Sequence, residues 1–153
     1  MRIGHILHLS GMNRDTYNSL ARRGHLSFMA NRFGDDEDRS LTAAHALALV
    51  AFQTLRSIPV EVSAAHEAVS ESWSDIVRTT GLSQEAPKSH LCGVRINDIG
   101  VRDTWGWPHP KSKGGKPIAD ASVDLVQLWK GLQPAIALLD KNDQSVDDGK
   151  QEA

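Results

Sequence analysis

One cysteine, Cys92, is all the chain carries. An intramolecular disulfide and a cysteine-rich zinc site are therefore both excluded. No stretch approaches the roughly 18 consecutive apolar residues that a membrane span requires. The opening residues, Met1 to Leu9, interleave histidines with apolar side chains and offer no small-residue cleavage site, so a signal peptide is not expected. A phosphate-cradling loop is missing as well. Gly114-Gly115-Lys116-Pro117 lacks the upstream glycine, the preceding strand and the following Ser or Thr that such a loop needs. His5 and His8 stand three apart with no carboxylate or thiol nearby to complete a metal site, and Cys92 has only the adjacent His90 beside it. No catalytic constellation, cofactor or metal is expected from these residues.

What the chain does hold is enough carbon for a core. It has 153 residues, of which 40% are hydrophobic and 24% charged. That suits one domain of ordinary size, or a small domain with an appendage. The net charge of −2 conceals an asymmetry. Residues 1–34 carry Arg2, Arg14, Arg22, Arg23 and Arg32 against Asp15 alone, a surplus of four positive charges. From Asp140 onward five acids, Asp140, Asp143, Asp147, Asp148 and Glu152, outnumber Lys141 and Lys150 by three. The basic end can attract phosphates although the whole molecule is slightly acidic.

Hydrophobic spacing divides the chain into elements. Ile3, Ile6, Leu7 and Leu9 predict a first helix from Arg2 to about Ser10, stopped at Gly11. Asn13 is placed to cap a second helix that turns Tyr17 and Leu20 inward and ends at Gly24. His25 to Phe28 reads as a short strand, and the turn chemistry of Arg32 to Arg39 completes a small hairpin, or wing. Thr42 is placed to cap a third helix, running to about Arg56, that is apolar nearly all round and belongs in a core. Beyond Pro59, one helix is expected over Val62 to Thr80, then a polar linker over Ser83 to Ser89. A hairpin within Leu91 to Trp107 comes next, turning at Asn97-Asp98, and then a loop from Pro108 to Pro117. The last helix is expected to begin near Asp120, to kink at Gly131 and Pro134, and to give way to a disordered acidic tail over 141–153. Trp105 and Trp107, followed by Lys111, Lys113 and Lys116, favour a small local core under a solvated lysine loop over a ligand site.

Two short helices joined by a glycine turn make a helix-turn-helix. The run from Ile3 through Gly11, Asn13, Arg14, Tyr17, Gly24 and Leu26, with Arg39-Ser40-Leu41-Thr42 leading into the third helix, resembles the opening of MerR-type winged helix-turn-helix proteins. The resemblance covers residues 2–56. It departs where the family has an arginine and two aromatics in the second helix and this chain has Asn18-Ser19-Leu20. Leu41 stands where the family has an aromatic, the wing tip is acidic (Asp35-Asp36-Glu37-Asp38), and the metal-sensing cysteines are absent.

The resemblance implies a mainly α fold: a winged helix-turn-helix over 1–57, with a small α+β appendage over 58–140. It implies a cytoplasmic, nucleoid-associated transcriptional regulator that binds double-stranded DNA in sequence-specific fashion, as a homodimer. Asn13, Arg14, Thr16 and Asn18 would face base edges in the major groove, where arginine reads guanine and asparagine reads adenine, and Tyr17 of the same helix is counted among the DNA-binding residues. Arg22 and Arg23 would contact phosphates, and the wing could lay Arg32 or Arg39 against the neighbouring backbone or minor groove. Two other readings stay open at this point: a phage or mobile-element DNA-architectural factor, excisionase-like or terminase-small-subunit-like, and a protein-interaction adaptor built on the same helices.

Overall fold

The computed structural model describes residues 1–31, 41–58, 60–81, 91–97, 102–106 and 117–151. Over these residues the chain is mainly helical, with one small antiparallel sheet. Six α-helices are described: α1 (Ile3–Ser10), α2 (Arg14–Arg22), α3 (Ala43–Ser57), α4 (Val62–Glu71), α5 (Trp73–Gly81) and α6 (Leu125–Gln151). A single 3-10 turn, Ser27–Ala30, comes after α2. The strands are β1 (Leu91–Asn97), β2 (Arg102–Gly106) and β3 (Pro117–Asp124), in the spatial order β2-β1-β3.

The centre of the molecule is α3, as its composition requires. Ala44, Ala46, Ala48 and Ala51 are buried beside Leu47, Leu49, Phe52 and Leu55. Alanine combines the best helix propensity with the smallest side chain, so neighbouring helices approach this one closely from several directions. α1 and the 3-10 turn pack on it, as do α4, α5, α6 and β3. One continuous core runs from Ile6 on α1 to Ile136 on α6 and includes buried residues on both sides of residue 57.

Four of the sequence expectations need correction. His25 to Phe28 do not form a strand. Leu26, Phe28 and Met29 are all buried, and strand alternation cannot turn both Phe28 and Met29 to one side. The 3-10 turn can, with Met29 N–H donating to the Leu26 carbonyl at 3.0 Å and Asn31 N–H to that of Phe28 at 3.1 Å.

The helix expected over 62–80 is two helices. Val62, Ala65, Val69, Trp73 and Ile76 share one stripe by spacing, but the chain breaks at Ser72, which is fully buried and ends α4 with φ −88° and ψ 6°. Both pack on α3, but α4 also covers β1 and β2, whereas α5 also packs on α6. The break lets two short helices serve different neighbours.

The segment expected to begin the last helix is strand β3. Asp120 and Ser122 are exposed while Val123 is buried, an alternation of period two. β3 pairs antiparallel with β1, setting Cys92 opposite Val123 and Val94 opposite Ala121, with an irregularity at Ile96/Asn97. The hairpin of β1 and β2 is present, with Ile96 opposite Arg102. The helix starts only after Asp124, whose Oδ1 accepts the Val126 and Gln127 N–H groups at 3.0 and 3.1 Å, a standard N-terminal cap.

α6 passes through Pro134 without ending. Lys130, whose carbonyl loses its helical donor to the proline, and Pro134 itself are both exposed, where water can take the missing bond. The helix then continues to Gln151, through most of the stretch expected to be a disordered tail. No proline occurs after Pro134 and the next glycine is Gly149, so a helix already nucleated on the core has no breaker before then. The wing residues 32–40, the linker 83–89, the hairpin turn at Asp98, Trp107 and the loop 108–116 lie outside the described residues.

Candidate nucleic-acid interface

α1, its turn and α2 build the surface that carries the described residues expected to form the site. α1 ends on Gly11, held at φ 66°. Its N–H donates to the His8 carbonyl at 3.3 Å, and Met12 N–H reaches back to Leu7 at 3.1 Å. This is a Schellman ending, in which the glycine tolerates a left-handed backbone and the flanking apolar pair, here Leu7 and Met12, is buried. The same device closes α2. Gly24 has φ 77°, its N–H donates to Ala21 at 3.0 Å and His25 N–H to Leu20 at 3.0 Å. Between the two glycines Asn13 caps α2, its Oδ1 accepting Thr16 N–H at 2.8 Å. Both turns are thus specified by residues at the turns themselves.

α2 is anchored lightly. Leu20 is its only buried residue, and Tyr17 is half-buried beside it. Burial pushes the Tyr17 phenol above its ordinary value of 10.0, while the nearby Arg14 pulls the other way. The opposite face carries Asn13, Arg14, Asn18, Arg22 and Arg23, all exposed. Arg22 Nε donates to the Asn18 carbonyl at 3.3 Å, which lays that guanidinium along the helix. Among the described residues no carboxylate lies within ion-pairing distance of Arg14, Arg22 or Arg23. An open groove of about 540 Å³ runs beside Arg14, with Ile3, Leu7 and Met12 as its apolar lining and His8 and Asn13 among its polar neighbours.

The structure therefore brings five of the sequence-expected site residues, Asn13, Arg14, Asn18, Arg22 and Arg23, onto the exposed surface of one helix and its cap. Thr16 and Tyr17 belong to the same helix, where Tyr17 is half-buried. Asn13 spends its side-chain oxygen on the cap, which leaves its amide N–H groups for any partner. Arg32 and Arg39 lie outside the described residues.

Two histidines behind this surface escaped the sequence reading. His45, at the third position of α3, hydrogen-bonds to Thr42 and to Asn31. The signal was present: Thr42-x-x-His45 has capping-box spacing, with imidazole in place of the usual Glu or Gln. His66 of α4 meets Ser27 Oγ at 2.7 Å and Ser70 Oγ at 3.3 Å through Nε2. It also stacks on Phe28 and stands edge-on to His25, ring centres 6.1 and 6.3 Å apart. A hydroxyl at 2.7 Å from an imidazole is the first half of a nucleophile–base pair. Among the described residues, however, no carboxylate bonds the other ring nitrogen to orient it, so the contact joins two elements and assembles no catalytic site.

That contact has a pH signature. Burial, then the charge of His25, lower the His66 pKa below its ordinary 6.5, with Glu67 acting against them. A histidine whose folded pKa is depressed prefers to be neutral in the native state. Its contribution to stability is fully present above about pH 6.5 and is lost as pH falls below that value. Thermal melts between pH 7.5 and pH 5 (roughly one unit either side of the ordinary histidine value) should show a falling midpoint, and His66→Gln should flatten that fall. An unchanged profile in the variant would assign the effect elsewhere.

Cys92 lies fully buried in β1. Burial pushes its thiol up to about 12, with the Ser72 hydroxyl opposing and Glu71 and Asp75 adding to the rise. It is a neutral core residue at physiological pH. Among the described residues no group of three histidines, cysteines or acids is placed to hold a metal ion, and no helix is long and apolar enough to cross a membrane.

The chain matches no protein-family model, no curated protein and no solved structure.

Proposed function

We propose that the protein binds double-stranded DNA by laying α2 in the major groove, as a MerR-like transcriptional regulator that reads sequence. The observation that carries this is the outer face of α2: three arginines and two asparagines, exposed on one short helix and its caps beside a single acid, Asp15, with no carboxylate among the described residues within ion-pairing distance of the arginines. A helix that buries one residue and displays several cations to solvent is poorly explained by packing. Groove binding uses both properties, since a protruding helix can enter a channel about 12 Å wide and its guanidinium groups can bond bases or phosphates.

The roles divide along the helix. Arg14, in the first turn, reaches base edges, as do Asn13 and Asn18. Arg22 and Arg23, at the far end, meet phosphates and set the register. A homodimer would place two copies of α2 in successive major grooves about 34 Å apart, and a palindromic site would record that symmetry.

Fluorescence anisotropy with labelled duplexes over a salt series tests the reading. The logarithm of affinity should fall linearly with the logarithm of salt, with a slope of about −0.9 for each phosphate neutralised. Arg22→Ala should weaken binding to every sequence alike and reduce the slope by about 1. Salt-sensitive binding with no preference among sequences would favour the architectural factor. No binding at low salt would favour the protein-interaction adaptor.

A further inference from the structure

α3 begins with a polar ring where its surroundings are carbon. His45 is fully buried in a helix otherwise lined by alanine, leucine and phenylalanine. An imidazole in such a place is costly unless both nitrogens are satisfied, and both are. Thr42 N–H donates to Nδ1 at 3.0 Å. That assigns the hydrogen to Nε2, which donates to the Asn31 carbonyl at 2.9 Å. The Thr42 hydroxyl lies 3.0 Å from Nδ1 on the same side, and Trp73 of α5 tilts against the ring with centres 5.2 Å apart.

The two partners lie at opposite ends of a chain segment. Thr42 is the N-cap of α3, the helix around which the core is built. Asn31 closes the 3-10 turn into which α2 delivers the chain. One neutral imidazole therefore ties the exit of the α1–α2 unit to the first turn of the central helix. This tie matters because α2 buries only Leu20. α1 and its turn hold the start of α2, and the far end of α2 is held by the segment between Gly24 and Asn31: Leu26, Phe28 and Met29 in the core, and the bond from His45 to Asn31.

We propose that His45 is a positioning residue for the DNA interface, fixing the angle at which α2 leaves the core without itself touching DNA. The inference rests on the reading of α2 as the groove helix. Capping α3 and holding Asn31 are separable, because side chains of different length reach them. Asparagine at 45 can replace Nδ1 as acceptor for Thr42 N–H but falls short of Asn31. Glutamine is long enough to donate to the Asn31 carbonyl.

The experiment compares His45→Asn and His45→Gln with the wild-type chain on a duplex carrying the selected sequence. Amide exchange of Thr42 and the melting midpoint are recorded alongside. His45→Asn should keep Thr42 protected and, because the Asn31 carbonyl loses this donor, melt somewhat below wild type while staying folded, yet lose affinity for the selected duplex by about tenfold or more. His45→Gln should recover most of that loss. An Asn variant that binds as tightly as wild type overturns the positioning role. So does a Gln variant as weak as the Asn variant, if it melts like wild type. If the wild-type protein binds no duplex at all, the DNA reading itself has failed. The 15N signals of the His45 ring then distinguish the two failures: an Nε2–H tautomer leaves the tie to Asn31 in place and removes only its role in DNA binding.

Discussion

Phe52→Ala should destabilise the protein by about 3–5 kcal/mol, the range for deleting a large aromatic from a well-packed core. Phe52 is fully buried within α3, the helix on which α1, the 3-10 turn, α4, α5, α6 and β3 all pack. Its ring lies 5.9 Å from that of Phe28 at an interplanar angle of 54°, a tilted aromatic pair that adds to simple burial. The guanidinium of Arg56 sits 5.7 Å from the ring centre. Alanine would leave a cavity beside Phe28 that the surrounding core fills only in part. Urea unfolding should show the loss as a lower midpoint with little change in slope. A loss below about 1 kcal/mol would mean that α3 is not the centre of the core. The same substitution removes the seat of Phe28, so the turn that receives α2 should loosen with it.

Arg14→Ala should weaken binding to a preferred duplex by about 1–3 kcal/mol and relax the preference at one base position. Arg14 is exposed in the first turn of α2, and no carboxylate among the described residues competes for it. Its contribution to folding should be slight. A cation near a helix N-terminus opposes the helix dipole, so alanine there is neutral or mildly stabilising. A loss of DNA affinity at unchanged melting temperature is the expected pattern, measured by anisotropy and thermal melts on the same samples. If Arg14→Ala and Arg22→Ala have equal, small effects, the division between base reading and phosphate contact along α2 is wrong.

Elements bounded by local signals were legible in the sequence. Gly11, Asn13 and Gly24 fix the limits of α1 and α2 because capping and left-handed turns involve residues a few positions apart. The uniform apolar surface of α3 marked it as a core helix, and its N-cap at Thr42 was readable for the same local reason. Elements decided by distant partners were not. Pro117 to Asp124 become a strand because β1 offers a pairing edge, while Val123 happens to fall in step with the true helical stripe of Val126, Trp129 and Leu132 in α6. Ser72 breaks a continuous stripe because α4 and α5 meet different neighbours, which no window of sequence contains. His45 was hidden for another reason. Its capping-box spacing from Thr42 was visible, but nothing in the sequence pointed to Asn31, which only the fold brings alongside. Of the candidate site, the exposure of Arg14, Asn18, Arg22 and Arg23 at one helix was readable from the pattern. The tie that orients that helix was not.

Selection from a pool of random duplexes, at one low and one higher salt concentration, with sequencing of the retained DNA, tests the central claim most directly. If α2 reads the major groove, a motif should be enriched and its retention should fall steeply as salt rises, with two half-sites if the protein acts as a dimer. Failure to retain duplex at low salt would contradict groove binding, and the exposed cations of α2 would then have to serve a protein partner.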